Sequence, residues 1–236
     1  MSRPSLRRAL VRAGLEPAAK EPRGKGPRNR GLAPPPRIFL PGEPVSADPW
    51  PVDLAAFFRR SAPVELEIGT GRARFLLAEA ARQPGRNFLG AEVETDYARI
   101  AQARADALGL ANLRVACLDG KAFVLSRLAP ASLDAIHVYF PDPWPKKRHR
   151  KRRVVDFEFA AAAVRALRPG AHLKIASDHA DYFFAIVEIL SAEPLLRALA
   201  ADEEGKWTTG TSYEVKFLAQ GRPIHKAIWI RRPGPP

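Results

Sequence analysis

Between residues 64 and 192 the chain alternates short apolar runs with stretches whose apolar positions recur every three or four residues. The runs at 64–68, 87–93, 113–117, 133–140 and 171–177 have the length and composition of buried strands. The stretches at about 73–83, 96–108, 120–128, 154–167 and 180–192 predict amphipathic helices. Strict alternation with short connections predicts an α/β fold, a doubly wound and mostly parallel sheet with helices on both faces, as in Rossmann-like proteins. Residues 195–199 and 225–231 add two further candidate strands. Sheets of this kind bind ligands at the carboxyl ends of their strands, so the strand ends are where chemistry is expected.

Upstream of residue 64 the periodicity is lost. Twelve of the 23 prolines lie in residues 1–63, including Pro34-Pro35-Pro36, which predicts a mostly irregular arm over 1–63 followed by a globular domain over 64–236. The single cysteine, Cys117, excludes a disulfide framework and a cysteine-ligated zinc site, and no metal is expected. No apolar run reaches about 18 residues, so no membrane span is predicted. The first 30 residues contain no apolar h-region, so a cytoplasmic rather than secreted protein is expected.

Charge changes this picture. The formal net charge is +13, of which residues 1–37 carry +8 and residues 145–153 carry +7, leaving −2 for everything else. A near-neutral body with two basic patches suits phosphate contacts, although a solubilising tail and a solvated loop would give the same counts. The cations of the second patch are Lys146, Lys147, Arg148, Arg150, Lys151, Arg152 and Arg153.

Two motifs sit at strand ends. In Glu67-Ile68-Gly69-Thr70-Gly71-Arg72-Ala73, a strand runs into Gly69 and Gly71 and then a helix, which lets a ligand approach the backbone. Glu92 ends the second strand, where an acid can accept both ribose hydroxyls of a nucleotide or nucleoside. A dinucleotide fingerprint has its third glycine where this chain has Arg74, and Glu67 would repel a pyrophosphate. S-adenosylmethionine has a ribose, no phosphate and two cationic groups, and it fits better. Asp119, after the third strand, is placed for an adenine amino group, or alternatively for a helix N-cap. The second motif, Tyr139-Phe140-Pro141-Asp142-Pro143-Trp144-Pro145-Lys146, holds an acid and an indole in a stiff, proline-rich loop. Such a pair offers a flat nitrogen heterocycle a stacking face and a carboxylate at its polar edge, with Trp144 the first stacking candidate and Tyr139 the second.

With Ser177-Asp178 and Thr211-Ser212-Tyr213-Glu214, these motifs resemble the tRNA (guanine-N7-)-methyltransferase family over about 64–232. The resemblance implies a methyltransferase domain that uses S-adenosyl-L-methionine to methylate a variable-loop guanosine in tRNA. It implies cofactor contacts at Glu67, Glu92, Asp119 and Asp142, with Asp142 also catalytic. It implies substrate contacts at Lys146, Asp178, Thr211, Ser212, Tyr213 and Glu214. Two departures stand out: Ala73 where relatives often carry a third glycine, and the long basic arm, onto which nothing carries over. Local readings stay open beside these, with Asp178 as a helix N-cap and Thr211-x-x-Glu214 as a capping box. A small-molecule N-methyltransferase and a non-catalytic RNA-binding module remain the rival readings. Either a monomer or a homodimer is expected.

Overall fold

The computed structural model describes residues 37–40, 43–45, 51–200 and 207–234. A nine-stranded sheet runs through them in the order β2-β1-β5-β4-β3-β6-β7-β9-β8. Its parallel centre consists of β3 (Val64–Ile68), β4 (Asn87–Glu92), β5 (Leu113–Cys117), β6 (Leu133–Tyr139) and β7 (Leu167–Ser177). On one side β9 (His225–Arg231) and β8 (Leu196–Ala198) continue it antiparallel. On the other side β1 (Arg37–Leu40) and β2 (Glu43–Val45) do the same.

Within the segment expected to form the arm, β1 and β2 extend the sheet, and α1 (Leu54–Phe58) buries Leu54, Phe57 and Phe58. The Asp53 side chain caps α1 by accepting from the Ala56 amide. Five residues are too few to declare a helical period, which is why this element is silent in the sequence. Residues 1–36, with most of the basic arm, lie outside the described residues.

Five helices connect the strands: α2 (Arg74–Arg82), α3 (Thr95–Ala107), α4 (Gly120–Ser126), α5 (Phe157–Ala166) and α6 (Ala180–Ser191). Side chains alternate across each strand, and two clusters form the core. Phe75, Leu76 and Leu77 of α2 and Ala98, Ala101 and Ala105 of α3 pack on Phe88, Leu113 and Val115. On the opposite face α1, α4, α5 and α6 cover Leu66, Ile68, Leu89, Ile136 and Val138. A last helix, α7 (Ser212–Ala219), precedes β9.

The basic run is not a plain loop, since Lys147–Arg152 forms a 3-10 helix. Strand β7 begins at Leu167, earlier than the apolar run, because Leu167 pairs with Leu133 before the register shifts to Ala135 and His172.

Candidate active site

Glu67, Glu92 and Asp119 lie at or just beyond the carboxyl ends of β3, β4 and β5, three neighbouring strands. Glu67 is 3 % exposed. The Thr70 hydroxyl donates to its Oε2 (2.5 Å). Burial, opposed by that bond and reinforced by the nearby charge of Glu92, pushes its carboxyl up to about 8. Glu92 accepts from the Gly71 amide (2.7 Å) and the Glu94 amide (2.9 Å), which aims its carboxylate at the glycine turn. Gly69 and Gly71 both have positive φ, and a Cβ at either would meet open space rather than protein. The turn therefore faces a cradle lined by acids. Asp119 Oδ1 caps α4 by accepting from the Lys121 and Ala122 amides, so the N-cap reading holds, and Oδ2 remains for another donor.

Ala73 stands in the left-handed region at φ 57 and is fully buried. A glycine at this position would relieve that backbone strain.

The proline-rich loop leaves β6 with two non-glycine residues at positive φ, Phe140 (53°) and Trp144 (42°). Strain of this kind persists only where the surroundings impose it. The Phe140 amide donates to the Ala176 carbonyl (2.7 Å), and Arg153 Nε donates to the Pro143 carbonyl (2.9 Å). Between those anchors Asp142 is exposed. The Arg153 guanidinium also lies over the Tyr182 ring at 4.3 Å, so this cation holds the loop rather than joining the exposed run. Trp144 is half-buried, with Arg152 4.9 Å from its ring centroid and His149 edge-on at 5.8 Å. Lys146, Lys147, Arg148, Arg150, Lys151 and Arg152 are exposed.

Tyr139 is buried, not a surface stacking residue. Its hydroxyl meets His137 Nδ1 at 2.8 Å, and His137 Nε2 meets Glu65 Oε2 at 2.9 Å. Burial pushes the phenol well above its ordinary value, and Glu67 and Glu65 add to the rise. An Nε2–H donating to Glu65, with Nδ1 accepting from Tyr139, satisfies the whole chain. The alternation in β6 signals only that these side chains share a face with Glu65, not that they bond.

At the far end of the site Tyr213, which is 56 % exposed, sits on the first turn of α7. Burial of part of its ring, then the nearby carboxylates of Asp142, Glu92 and Asp178, raise its phenol. The contact between Phe140 and Tyr213 brings the late motif beside the proline loop. Phe140 and Phe217 lie 6.0 Å and 5.8 Å from the Tyr213 ring. Ser212 is exposed beside it.

Half of the capping box forms: Thr211 Oγ1 accepts from the Glu214 amide (3.1 Å). The other half does not. Glu214 is 2 % exposed and turns inward, where it pairs with Lys226, accepts from Thr208 and from Thr209 (2.9 Å), and takes the Gly210 amide (2.8 Å). Burial raises its carboxyl, but bonds from Lys226, Thr208, Gly210 and Thr209 outweigh this and hold it below the ordinary value. These bonds give Glu214 a folding role. Asp178 is not an N-cap either. His179 caps α6 by accepting from the Tyr182 amide, while Asp178 pairs with Arg222, whose guanidinium lies 4.2 Å over the Phe217 ring. Lys226, Thr208 and Arg222 carry no sequence signal of their own, since their partners are brought to them by tertiary structure. Among the described residues no group of three His, Cys, Asp or Glu is placed to hold a metal ion, and no helix is long and apolar enough to cross a membrane.

Acids at successive strand ends, a glycine turn that spares no room for phosphate charge, and this strand order define a methyltransferase-type fold. A family model described as "Putative methyltransferase" matches residues 61–227. Solved structures share the fold. The antibiotic-resistance methyltransferase Kmr aligns at TM-score 0.57 and 16 % identity, covering 84 % of this chain and 100 % of that one. The aminoglycoside resistance methyltransferase NpmB1 aligns at TM-score 0.56 and 13 % identity, covering 83 % and 99 %.

Sequence relatives are more specific. A tRNA (guanine-N(7)-)-methyltransferase of Bordetella parapertussis is 45 % identical over 181 residues, 77 % of this chain and 70 % of that protein. Proteins of the same name from Cutibacterium acnes and Nitrosomonas eutropha are 40 % and 36 % identical. They cover 76 % and 77 % of this chain and 67 % and 82 % of their own lengths. The chain belongs to the tRNA (guanine-N7-)-methyltransferase family.

Proposed function

We propose that the protein transfers a methyl group from S-adenosyl-L-methionine to N7 of a guanine in tRNA, a variable-loop guanosine, giving 7-methylguanosine. The observation that carries this reading is the position of Asp142: exposed, on a loop anchored at both ends, with Phe140 of that loop 6.0 Å from the Tyr213 ring. The residues present suit the cofactor: the Glu67 carboxyl is buried with one hydrogen-bond partner and awaits a cation, Glu92 faces the turn, and Asp119 keeps one oxygen. When bound, the cofactor supplies a methyl group on a sulfonium.

Guanine N7 carries a lone pair at neutral pH, so the chain needs no general base. What it has to supply is alignment, and negative charge near the base as that base becomes cationic. Asp142 is placed to supply the charge. Trp144 and Tyr213 both offer a ring to the base, Tyr213 being the more exposed and Trp144 lying against Arg152 and His149. Lys146, Lys147, Arg148, Arg150, Lys151 and Arg152 supply phosphate contacts. Every residue invoked belongs to one chain, so a monomer or a homodimer serves equally, and the cytoplasm is the compartment this reading implies. A non-catalytic RNA-binding module would have no use for three acids kept in place at the strand ends. The direct test is to incubate the protein with cofactor and bulk tRNA and map the modified nucleotide. Recovery of 7-methylguanosine is expected, and methylation of free nucleosides in preference to tRNA would overturn the reading.

Two predictions follow from the cofactor end. Glu92→Ala should weaken S-adenosylhomocysteine binding in calorimetric titration by up to about 1.5–3 kcal/mol for each charge-assisted hydrogen bond lost. An unchanged dissociation constant would remove Glu92 from the site.

The second concerns pH. Glu67 holds its proton to about 8 in the free protein against an ordinary 4.5. The unfolded chain loses that proton first, so this group's contribution to stability is complete below 4.5 and is lost as pH rises to about 8. A cationic ligand favours the ionised form. Binding near pH 7 should therefore release about one proton from Glu67, and affinity should rise up to roughly tenfold per pH unit towards 8. The ligand's own amino group titrates nearby, so the measurement is the difference between wild type and Glu67→Gln in buffers of different ionisation enthalpy. Equal proton release from both proteins would refute the assignment.

A further inference from the structure

Helix α7 ends on Gln220-Gly221-Arg222, and the way it ends aims a cation. The Gly221 amide donates to the Leu218 carbonyl (3.1 Å) and the Arg222 amide to the Phe217 carbonyl (2.9 Å), with Gly221 left-handed at φ 65. This pair of bonds folds the chain back over the last helical turn, a reversal that glycine makes without strain. Arg222 is thereby returned to the face of α7 that carries Phe217. Its guanidinium lies 4.2 Å over that ring and pairs with Asp178, the residue after β7.

Phe217 is buried, and its ring lies 5.5 Å from Phe140, the first residue of the proline-rich loop. Tyr213 of the same helix lies 6.0 Å from Phe140. The Phe140 amide in turn donates to the carbonyl of Ala176, two residues before Asp178. The contacts close on themselves, from Asp178 through Arg222, Phe217 and Phe140 back to β7. The first turn of α7 is held by the Glu214–Lys226 pair and its last by Arg222. Phe140 stands at φ 53, a conformation that its surroundings have to impose, and Asp142 follows two residues on. A half-exposed ion pair adds little to global stability, so the effect of this clamp falls on where α7 stands against the loop.

We propose that Arg222 is a positioning residue for methyl transfer: paired with Asp178 and laid over Phe217, it clamps α7 and its exposed Tyr213 against Phe140, at the root of the Asp142 loop. This rests on the reading of the site as one that methylates a guanine in tRNA, and it adds the group that keeps the two sides of the mouth in register. A misplacement of about 1 Å is enough to slow a reaction on the order of 100-fold.

The test compares Arg222→Gln, which removes the charge, with Arg222→Lys, which keeps a cation within reach of Asp178 and the ring. Single-turnover methyl transfer at saturating cofactor and tRNA should fall about 10- to 100-fold in Arg222→Gln and be partly restored in Arg222→Lys. The dissociation constant for S-adenosylhomocysteine and the urea midpoint should keep their wild-type values. Amide hydrogen exchange should quicken in α7 of Arg222→Gln and stay unchanged in β3, β4 and β6. A saturated rate within about threefold of wild type would overturn the proposal. So would a rate loss that tracks a lower urea midpoint and is not relieved by lysine, because Arg222 would then only support the fold. A phosphate contact has a different signature: the saturated rate survives in Arg222→Gln while the log–log salt slope for tRNA binding drops by about 0.7–0.9, and that result too rejects the clamp. The two readings can fail separately. Wild-type protein that binds tRNA and forms no 7-methylguanosine would defeat the proposed reaction. Faster exchange confined to α7 in Arg222→Gln would still support the clamp, and unchanged exchange would defeat it as well.

Discussion

Asp142→Asn is expected to slow single-turnover methyl transfer by a factor of roughly 100–1,000 at saturating cofactor and tRNA, the size of effect seen when a preorganised electrostatic group is removed, about 3–4 kcal/mol. Asn keeps the shape and one acceptor oxygen and loses only the charge. The loop around it is fixed by other groups, the Phe140 amide on Ala176 and Arg153 on Pro143, so the fold should not change. The loss should therefore fall on the chemical step, with both affinities near wild type. A raised Michaelis constant for the cofactor with full saturated turnover would move Asp142 from catalysis to cofactor binding. A rate within about threefold of wild type, far short of an electrostatic role, would show that the charge has no catalytic part.

Glu214→Ala should act on stability instead. The carboxylate is buried and paired with Lys226, and it satisfies Thr208, Thr209 and the Gly210 amide together. Removing one partner of a buried pair leaves the other charge uncompensated, at a cost of about 3–5 kcal/mol. Urea unfolding followed by tryptophan fluorescence should show this as a lower midpoint, since Trp207 and Trp229 report on this region. Glu214→Gln, which keeps the shape, should cost less. Wild-type stability combined with weaker tRNA binding would instead return Glu214 to the substrate surface.

The parallel sheet was legible because its strands are continuous apolar runs bounded by turns. The three strand-end acids were legible for the same reason: once a strand's end is known, so is the residue at it. Helix α7 was less so, with only the Thr211 cap announcing it. The inward turn of Glu214 was invisible, because Lys226 lies twelve residues on and reaches Glu214 only through the return of β9. Arg153 shows the same limit within the basic run. Composition counts it with six exposed neighbours, yet geometry spends its guanidinium on Pro143 and Tyr182. The aromatic rings are a like case. The sequence does not show that Trp144 lies against Arg152, nor that Tyr213 stands 56 % exposed.

The two outermost strands have a consequence for assembly. Both β2 and β8 are only three residues long, and β2 carries Pro44 at its centre, which has no amide to donate. Open sheet edges recruit further strands, and short or proline-bearing edges do not. Among the described residues, neither border therefore favours pairing with a strand of a second copy. The acid-bearing strand ends lie along the carboxyl edge of the parallel strands rather than on either border, so access to them does not depend on what meets the borders.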